Sequence, residues 1–397
     1  MRKVIVLSLL LILLNSCETY ATPPNRTAVT QLPTLDAQAP VLPTRTALPP
    51  TSPPATRVPT RTPEPTAEPA TLYYQAGVQS FGKGNYGDAL LKFTQAIQLD
   101  PKNALIYLNR AQVYLAQKDY DGAASDFTQV IQLDPKNVAA WVSRAQAQAA
   151  QQKFEQAVSD LNQAVKLSPN EPSVYVTRGQ IIQTSGDITQ ALASFTQALN
   201  VDPNYAPAYY YRALAYVADR PGQQLGVDRR VVDDLTAVLA LEPWNIDAYM
   251  ARAEAYVNGG DLDKALTDYN LAVVVTPDNL DPLLKRGHLQ YVRRDYAAAL
   301  DDFNKVLELD PKSIAALRER GLVYIEQTQY NKALADFSAI FQIDPQNFDA
   351  VIQRALVYSK QNKRDAALTD LKRALKIAQT SGDKARVQAE IDRLQQQ

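Results

Sequence analysis

The sequence predicts an all-α array of helical hairpins. Prolines stand at 101, 135, 169 and 203, then at 243, 277, 311 and 345, a step of thirty-four residues broken once by a step of forty. Small residues and large apolar residues recur in the same phase. A residue before Pro is driven out of helical space, so each Pro marks the end of a helix.

The other positions of the repeat follow in order. Ala89, Ala123, Ala157, Ala191, Ala265, Ala299, Ala333 and Ala367 lie twelve residues before the Pro or its equivalent. Four residues later come Phe93, Phe127, Leu161, Phe195, Leu235, Tyr269, Phe303, Phe337 and Leu371. Small residues return at Gly77, Ala111, Ala145, Gly179, Ala213, Ala253, Gly287, Gly321 and Ala355. Tyr73, Tyr107, Trp141, Tyr175, Tyr209 and Tyr249 stand four before those. Residues three and four apart share a helix face. Small residues let the two helices of a hairpin approach closely, and the aromatics fill the space between successive hairpins. The pattern of aromatic, small residue, Tyr, Ala, aromatic, small residue and Pro resembles the tetratricopeptide repeat. The resemblance covers residues 71–378 as nine repeats. It implies a right-handed α-solenoid whose first helices line a concave groove.

Capping residues fit this frame. Asn103, Asn137, Asn245, Asn279, Ser313 and Asn347 sit where first helices begin, and their side chains can accept from orphan backbone N–H groups. Asp121 and Asp263 are expected to cap second helices. Tyr120, Phe154, Ile188, Leu262, Tyr296 and Tyr330 then precede those caps as hydrophobic staples. After a break at Gln379-Thr380-Ser381-Gly382, Val387, Ile391 and Leu394 fall on one helix face. Residues 379–397 therefore read as a terminal helix covering the last hairpin.

The amino terminus differs. Arg2 and Lys3 precede an apolar run from Val4 to Leu14. Eleven residues at ~1.5 Å each are far too short for a ~30 Å bilayer core, so residues 1–16 read as a signal peptide. Leu14-Asn15-Ser16-Cys17 resembles the bacterial lipobox. That resemblance implies a lipid on the Cys17 thiol, cleavage before it and tethering of the exported chain to a bacterial membrane. Glu18 in the next place implies the outer membrane if the host has two. Residues 17–70 are rich in Thr and Pro, as at Thr22-Pro23 and Thr62-Pro63. Such a segment buries too little to offset chain entropy and is expected to be a disordered linker. About fifty residues at ~3.1 Å each reach on the order of 150 Å.

Composition excludes several functions. The formal net charge is -1, which makes no case for nucleic acid. The single Cys and single His exclude an internal disulfide framework and leave no ligand set for a Cys/His zinc site. No Ser-His-Asp or Cys-His constellation is credible, so no enzyme, metal or cofactor is expected. Gly82-x-Gly84-x-x-Gly87 matches a dinucleotide fingerprint but lies between two helices, and reads as a turn.

Two features are specific to the array. Arg110, Arg144, Arg178, Arg212, Arg252, Arg286, Arg320 and Arg354 recur beside the small position. Asp126, Asp160, Asp234, Asp268, Asp302, Asp336 and Asp370 recur before the second-helix aromatic, with Ser194 in repeat four. Pairing that fixes register is one reading, and an Arg ladder for an anionic ligand is the other. Repeat five carries six extra residues near 219–226, a lengthened turn or a partner contact.

The tetratricopeptide resemblance places the second, fifth, ninth and twelfth residues of each first helix in the groove. These are Leu105, Leu108, Gln112 and Leu115, then Val142 and Gln146. Tyr210, Leu214, Val217, Met250, Glu254 and Val257 continue the series. Leu284, His288, Tyr291, Leu322 and Ile325 complete it. The surface is expected to be mostly apolar with isolated polar points. The expected function is a membrane-tethered scaffold outside the cytoplasm that binds a protein or peptide segment. A structural or self-assembling envelope protein and an accessory subunit of an envelope assembly system are the alternatives.

Overall fold

The computed structural model describes residues 69–219 and 226–396. The signal segment 1–16, Cys17 and all but the last two residues of the linker 17–70 lie outside the described residues, as do residues 220–225 of the repeat-five insertion. The described residues form nineteen α-helices and no strand. Among them no helix is long and apolar enough to cross a membrane.

The helices come in pairs. Repeats one to three are α1 (Pro69–Gly82) with α2 (Tyr86–Leu99), α3 (Ala104–Ala116) with α4 (Tyr120–Leu133), and α5 (Val138–Ala150) with α6 (Phe154–Leu167). Repeats four to six are α7 (Pro172–Ser185) with α8 (Ile188–Val201), α9 (Ala206–Asp219) with α10 (Arg229–Leu241), and α11 (Ile246–Asn258) with α12 (Leu262–Val275). Repeats seven to nine are α13 (Leu280–Val292) with α14 (Tyr296–Leu309), α15 (Ile314–Glu326) with α16 (Tyr330–Ile343), and α17 (Phe348–Lys360) with α18 (Arg364–Ile377). The last helix is α19 (Ser381–Gln396). The chain divides into two compact units. The first holds α1 to α6 with residues 180–187, and the second holds residues 170–179 with α8 to α19.

In the first unit, Phe93 of α2 is fully buried with Ala89, Ala96, Ile106 and Val113. It fills space between its own hairpin and the next. A Cβ on Gly77 of α1 would lie 2.8 Å from the Phe93 ring, so the small residue is what admits that ring. In the second unit Gly287 and Gly321 meet Phe303 and Phe337 in the same way. The cost of any side chain there is overpacking.

Among the described residues, the turn inside each hairpin has one left-handed residue. Gly84, Lys118, Gln152, Gly186, Gly226, Gly260, Arg294, Thr328 and Asn362 all have φ between 56° and 101°. Gly84 lies in the glycine motif, which forms the turn between α1 and α2 as expected. Gly226 falls in this register only after the six extra residues of repeat five are counted. The helical frame therefore resumes there.

First-helix caps fall on Asn103, Asn137, Asn245, Asn279, Ser313 and Asn347, each accepting from a first-turn N–H. The second-helix caps differ from expectation. Asp119 accepts from Gly122 N at 3.0 Å and Asp261 from Lys264 N at 3.2 Å. Asp121 and Asp263 lie inside the first turn, where a carboxylate favours the positive helix end. The helices start two residues earlier than the capping pattern suggests. Tyr120 and Leu262 are consequently first helical residues, not staples before a cap. At the other end of the chain, Val387, Ile391 and Leu394 of α19 are buried against Val351, Leu371 and Ala374.

Candidate functional site

The repeated Arg is the most ordered polar feature of the array. Arg110 donates through Nε and Nη2 to Asp126 at 2.8 and 2.7 Å, and through Nη1 to Thr94 Oγ1 at 3.0 Å. One guanidinium thus ties α2, α3 and α4 together. Arg144 does the same with Asp160 and Thr128. In the second unit Arg212, Arg252, Arg286, Arg320 and Arg354 pair with Asp234, Asp268, Asp302, Asp336 and Asp370. Their third partners are Thr196, Thr236, Asn270, Asn304 and Ser338. The Arg–Asp separation is 16 residues, and 22 for Arg212, where the six-residue insertion intervenes.

The hydroxyl or amide partner was not singled out from the sequence. Its signal is there, because Thr94, Thr128, Asn162, Thr196, Thr236, Asn270, Asn304 and Ser338 each follow the second-helix core residue. The hydrogen bond to Asp holds Arg110, Arg212, Arg252, Arg320 and Arg354 above the ordinary guanidinium value. In repeat four the place of Asp is taken by Ser194, whose Oγ accepts from Arg178 Nε at 3.3 Å, while Gln197 Oε1 accepts from Nη2. Burial holds Arg178 below its ordinary value. In the other pairs a carboxylate fills the fork, so the ladder serves register and not an anionic ligand.

The first helices carry the expected groove residues. In the first unit Leu105 is 51% exposed, Gln112 and Gln146 are exposed, and Leu108, Leu115 and Val142 are half-buried. Asn109 Nδ2 donates to Tyr74 Oη at 3.4 Å, which joins the first helices of repeats one and two. In the second unit Val217 is 53% and Val257 37% exposed, with Tyr210, Leu214 and Tyr291 half-buried. Met250 does not reach this surface. It is buried with Ala253, Ala265, Tyr269, Ala272 and Leu289, because its side chain turns into the hairpin core. Leu284, Leu322 and Ile325 are half-buried and pack on core clusters, so they offer edges more than faces.

Two of the polar points, Glu254 and His288, are paired across helices. Lys285 Nζ donates to Glu254 Oε1 at 2.9 Å, from α13 to α11. His288 Nδ1 lies 3.0 Å from Glu319 Oε2, and Arg318 Nη2 donates to Glu319 Oε1 at 2.7 Å. Glu319 is buried, whereas the His288 side chain is 56% exposed. The Glu319 hydrogen bond raises His288 above its ordinary value, against burial and the charges of Arg318 and Lys285. For Glu319, burial pushes upward most strongly, but His288 and Arg318 together hold the carboxyl below its ordinary value. The pairs link successive first helices thirty-one residues apart. A helical pattern within one element carries no trace of them.

Tetratricopeptide repeat profiles match residues 76–138 and 284–348, residues 114–178, and residues 172–205, 246–279 and 348–381. Among solved structures the chain is similar to a tetratricopeptide repeat protein from Parabacteroides merdae, at 18% identity over 63% of this chain and 96% of that one, with a TM-score of 0.44. It is also similar to the C-terminal part of a TPR repeat-containing protein from Cytophaga hutchinsonii, at 18% identity over 62% and 98%, with a TM-score of 0.49. A third is YrrB, described as a TPR protein with an unusual peptide-binding site, at 18% identity over 48% and 95%, with a TM-score of 0.36. No curated protein matches the sequence. The profile matches span more than half of the chain and coincide with its helical hairpins. The chain belongs to the tetratricopeptide repeat family.

Proposed function

We propose that this protein is a membrane-tethered scaffold outside the cytoplasm that holds a protein or peptide segment against its first helices. A tetratricopeptide fold serves protein–protein interaction in general. One observation carries the finer reading. Leu105 in the first unit and Val217 and Val257 in the second stay exposed on first helices, beside half-buried Leu108, Val142, Tyr210 and Leu214. Within each unit, apolar side chains left exposed on first helices mark an interface, and they suit an extended or helical segment read by its apolar side chains. The charges of Glu254, Lys285, His288 and Glu319 are already paired within the chain. Association should therefore depend weakly on salt. The tether rests on the Leu14-to-Cys17 junction and the Thr/Pro-rich linker of the sequence.

Two experiments separate the parts of this reading. Affinity capture from intact cells uses the full chain and a Leu108→Ser, Tyr210→Ser, Leu214→Ser variant that retains helical circular dichroism. Loss of capture by the variant supports the groove. Equal capture moves the binding surface elsewhere. Mass spectrometry of the mature amino terminus should find acylated Cys17, since two or three chains anchor firmly where one is marginal. An unmodified Cys17 ends the tether and leaves the scaffold standing.

A further inference from the structure

Hairpin three lacks a ring that its neighbours carry. One register of the first helices holds Tyr114, Tyr216, Tyr256, Tyr324 and Tyr358. In repeat two the Tyr114 ring lies 5.9 Å from the Arg110 guanidinium, with Tyr107 at 5.8 Å from the same group. It also lies over Gly122, where an added Cβ would come within 2.8 Å of the ring. In repeats five, six and eight a cation replaces that glycine and sits over the ring. Arg230 is 4.3 Å from Tyr216, Lys264 5.4 Å from Tyr256 and Lys332 5.2 Å from Tyr324. The ring is thus held between the register arginine and the first turn of the second helix.

Repeat three has Gln148 in that place. Trp141 lies 4.9 Å from the Arg144 guanidinium, so the first ring beside the arginine is present and the second is missing. A hollow of about 440 Å³ takes its place, lined by Arg144 and Gln148 of α5 with Glu155, Gln156, Ser159 and Asp160 of α6. Arg144, Gln156 and Asp160 stand in the registers of Arg110, Gly122 and Asp126, the groups around Tyr114. Glu155, Gln156 and Ser159 are exposed, so the hollow opens to solvent. Gln148 Oε1 is buried and has no hydrogen-bond partner among the described residues. Gln290 holds the same register in repeat seven, but Leu283 stands there in place of Trp141, so no ring begins a stack.

The walls select the occupant. A guanidinium backed by an indole favours a flat ring beside it. The unpaired amide oxygen of Gln148 favours a ring that carries a donor, which a phenol has and a benzyl group lacks. We propose that this hollow is a second contact site of the scaffold and takes a tyrosine side chain from a partner protein segment, in the place Tyr114 fills in repeat two. The proposal rests on the chain's role as a scaffold but uses none of the groove residues.

The test titrates the full chain, purified in detergent, with N-acetyltyrosinamide and follows saturation-transfer NMR of the probe. Saturable binding in the millimolar range is expected for so small a ligand. Gln148→Tyr supplies the ring from within and should weaken binding by about tenfold or more. Gln156→Lys places over the ring the cation that Lys264 and Lys332 provide elsewhere, and should tighten binding several-fold. N-acetylphenylalaninamide should bind several-fold more weakly than the tyrosine probe. The groove variant Leu108→Ser, Tyr210→Ser, Leu214→Ser should bind like the wild type. Loss of binding in that variant would put the tyrosine in the groove, which overturns this site and leaves the groove reading intact. Absence of saturable binding overturns the inference, as does equal binding by Gln148→Tyr. A Gln148→Tyr chain that fails to fold by circular dichroism also overturns it, because the hollow would then admit no ring.

Discussion

Asp126→Ala tests how the hairpins are held in register. The Asp126 side chain is 4% exposed and that of Arg110 17%. The substitution deletes two charge-assisted hydrogen bonds and leaves a guanidinium largely covered without its carboxylate. Breaking a buried pair from one side costs about 3–5 kcal/mol. Arg110 keeps its bond to Thr94 and some access to water, which places the loss near the low end, about 3 kcal/mol. Replacing both partners by apolar residues of similar volume, Arg110→Met with Asp126→Leu, should cost within about 1 kcal/mol. The assay is urea unfolding of both variants, with hydrogen exchange followed along the whole array, α2 to α4 included. Repeat stability is a sum of local and nearest-neighbour parts, so exchange should rise first in α2 to α4. A loss below ~1 kcal/mol for Asp126→Ala would refute the reasoning, as would an apolar pair that costs as much as the single change.

Repeat four offers the reverse experiment. Ser194→Asp should place a carboxylate beside Arg178 and raise the urea midpoint by the equivalent of about 1 kcal/mol, whereas a lowered midpoint would mean the slot cannot admit it. Gly259→Ala should destabilise by about 2 kcal/mol, because its Cβ would lie 2.2 Å from Val227 Cγ2 and 2.6 Å from the Val227 backbone nitrogen. Val227→Ala should rescue only part of that loss, and a neutral Gly259→Ala would show that the end of the insertion does not dock there. For His288 the folded value is raised from 6.5, so its contribution is full below that pH and is lost as pH rises through the folded value. The side chain is more than half exposed, so screening keeps the effect below about 1 kcal/mol. The stability difference between the wild type and His288→Gln should shrink from pH 5.5 to pH 8.5, and a flat or growing difference would contradict the His288–Glu319 pair.

The periodic part of the fold was legible because each repeat must solve the same packing problem. A ring such as Phe93 needs a small residue such as Gly77 opposite it, and a turn of fixed length needs a Pro beyond it. Those demands recur at a fixed step and are written in local sequence. Arg and Asp in matched phase showed in the same way that the helices pair. The hydroxyl or amide that completes each clamp sat in plain register, yet nothing local distinguishes a Thr that bonds Arg from a Thr that faces water.

Helix starts were misplaced for the second helices because Asp119 and Asp121 both suit a helix amino terminus. Only the left-handed turn at Lys118 decides that the helix begins at Tyr120. Met250 illustrates the other limit. Its register assigned it to the groove, but a long flexible side chain at a boundary turns toward whichever side has space, and the core beside Ala253 and Tyr269 had it. The Glu254–Lys285 and His288–Glu319 pairs also belong to the tertiary structure, since they join side chains on helices that meet only after the hairpins stack. By itself the sequence determined the repeat and its core, which are properties of short-range periodicity. Which surface residues remain free and which spend their charge on one another was decided by the stacking of successive helices, because burial and partner distance exist only in three dimensions.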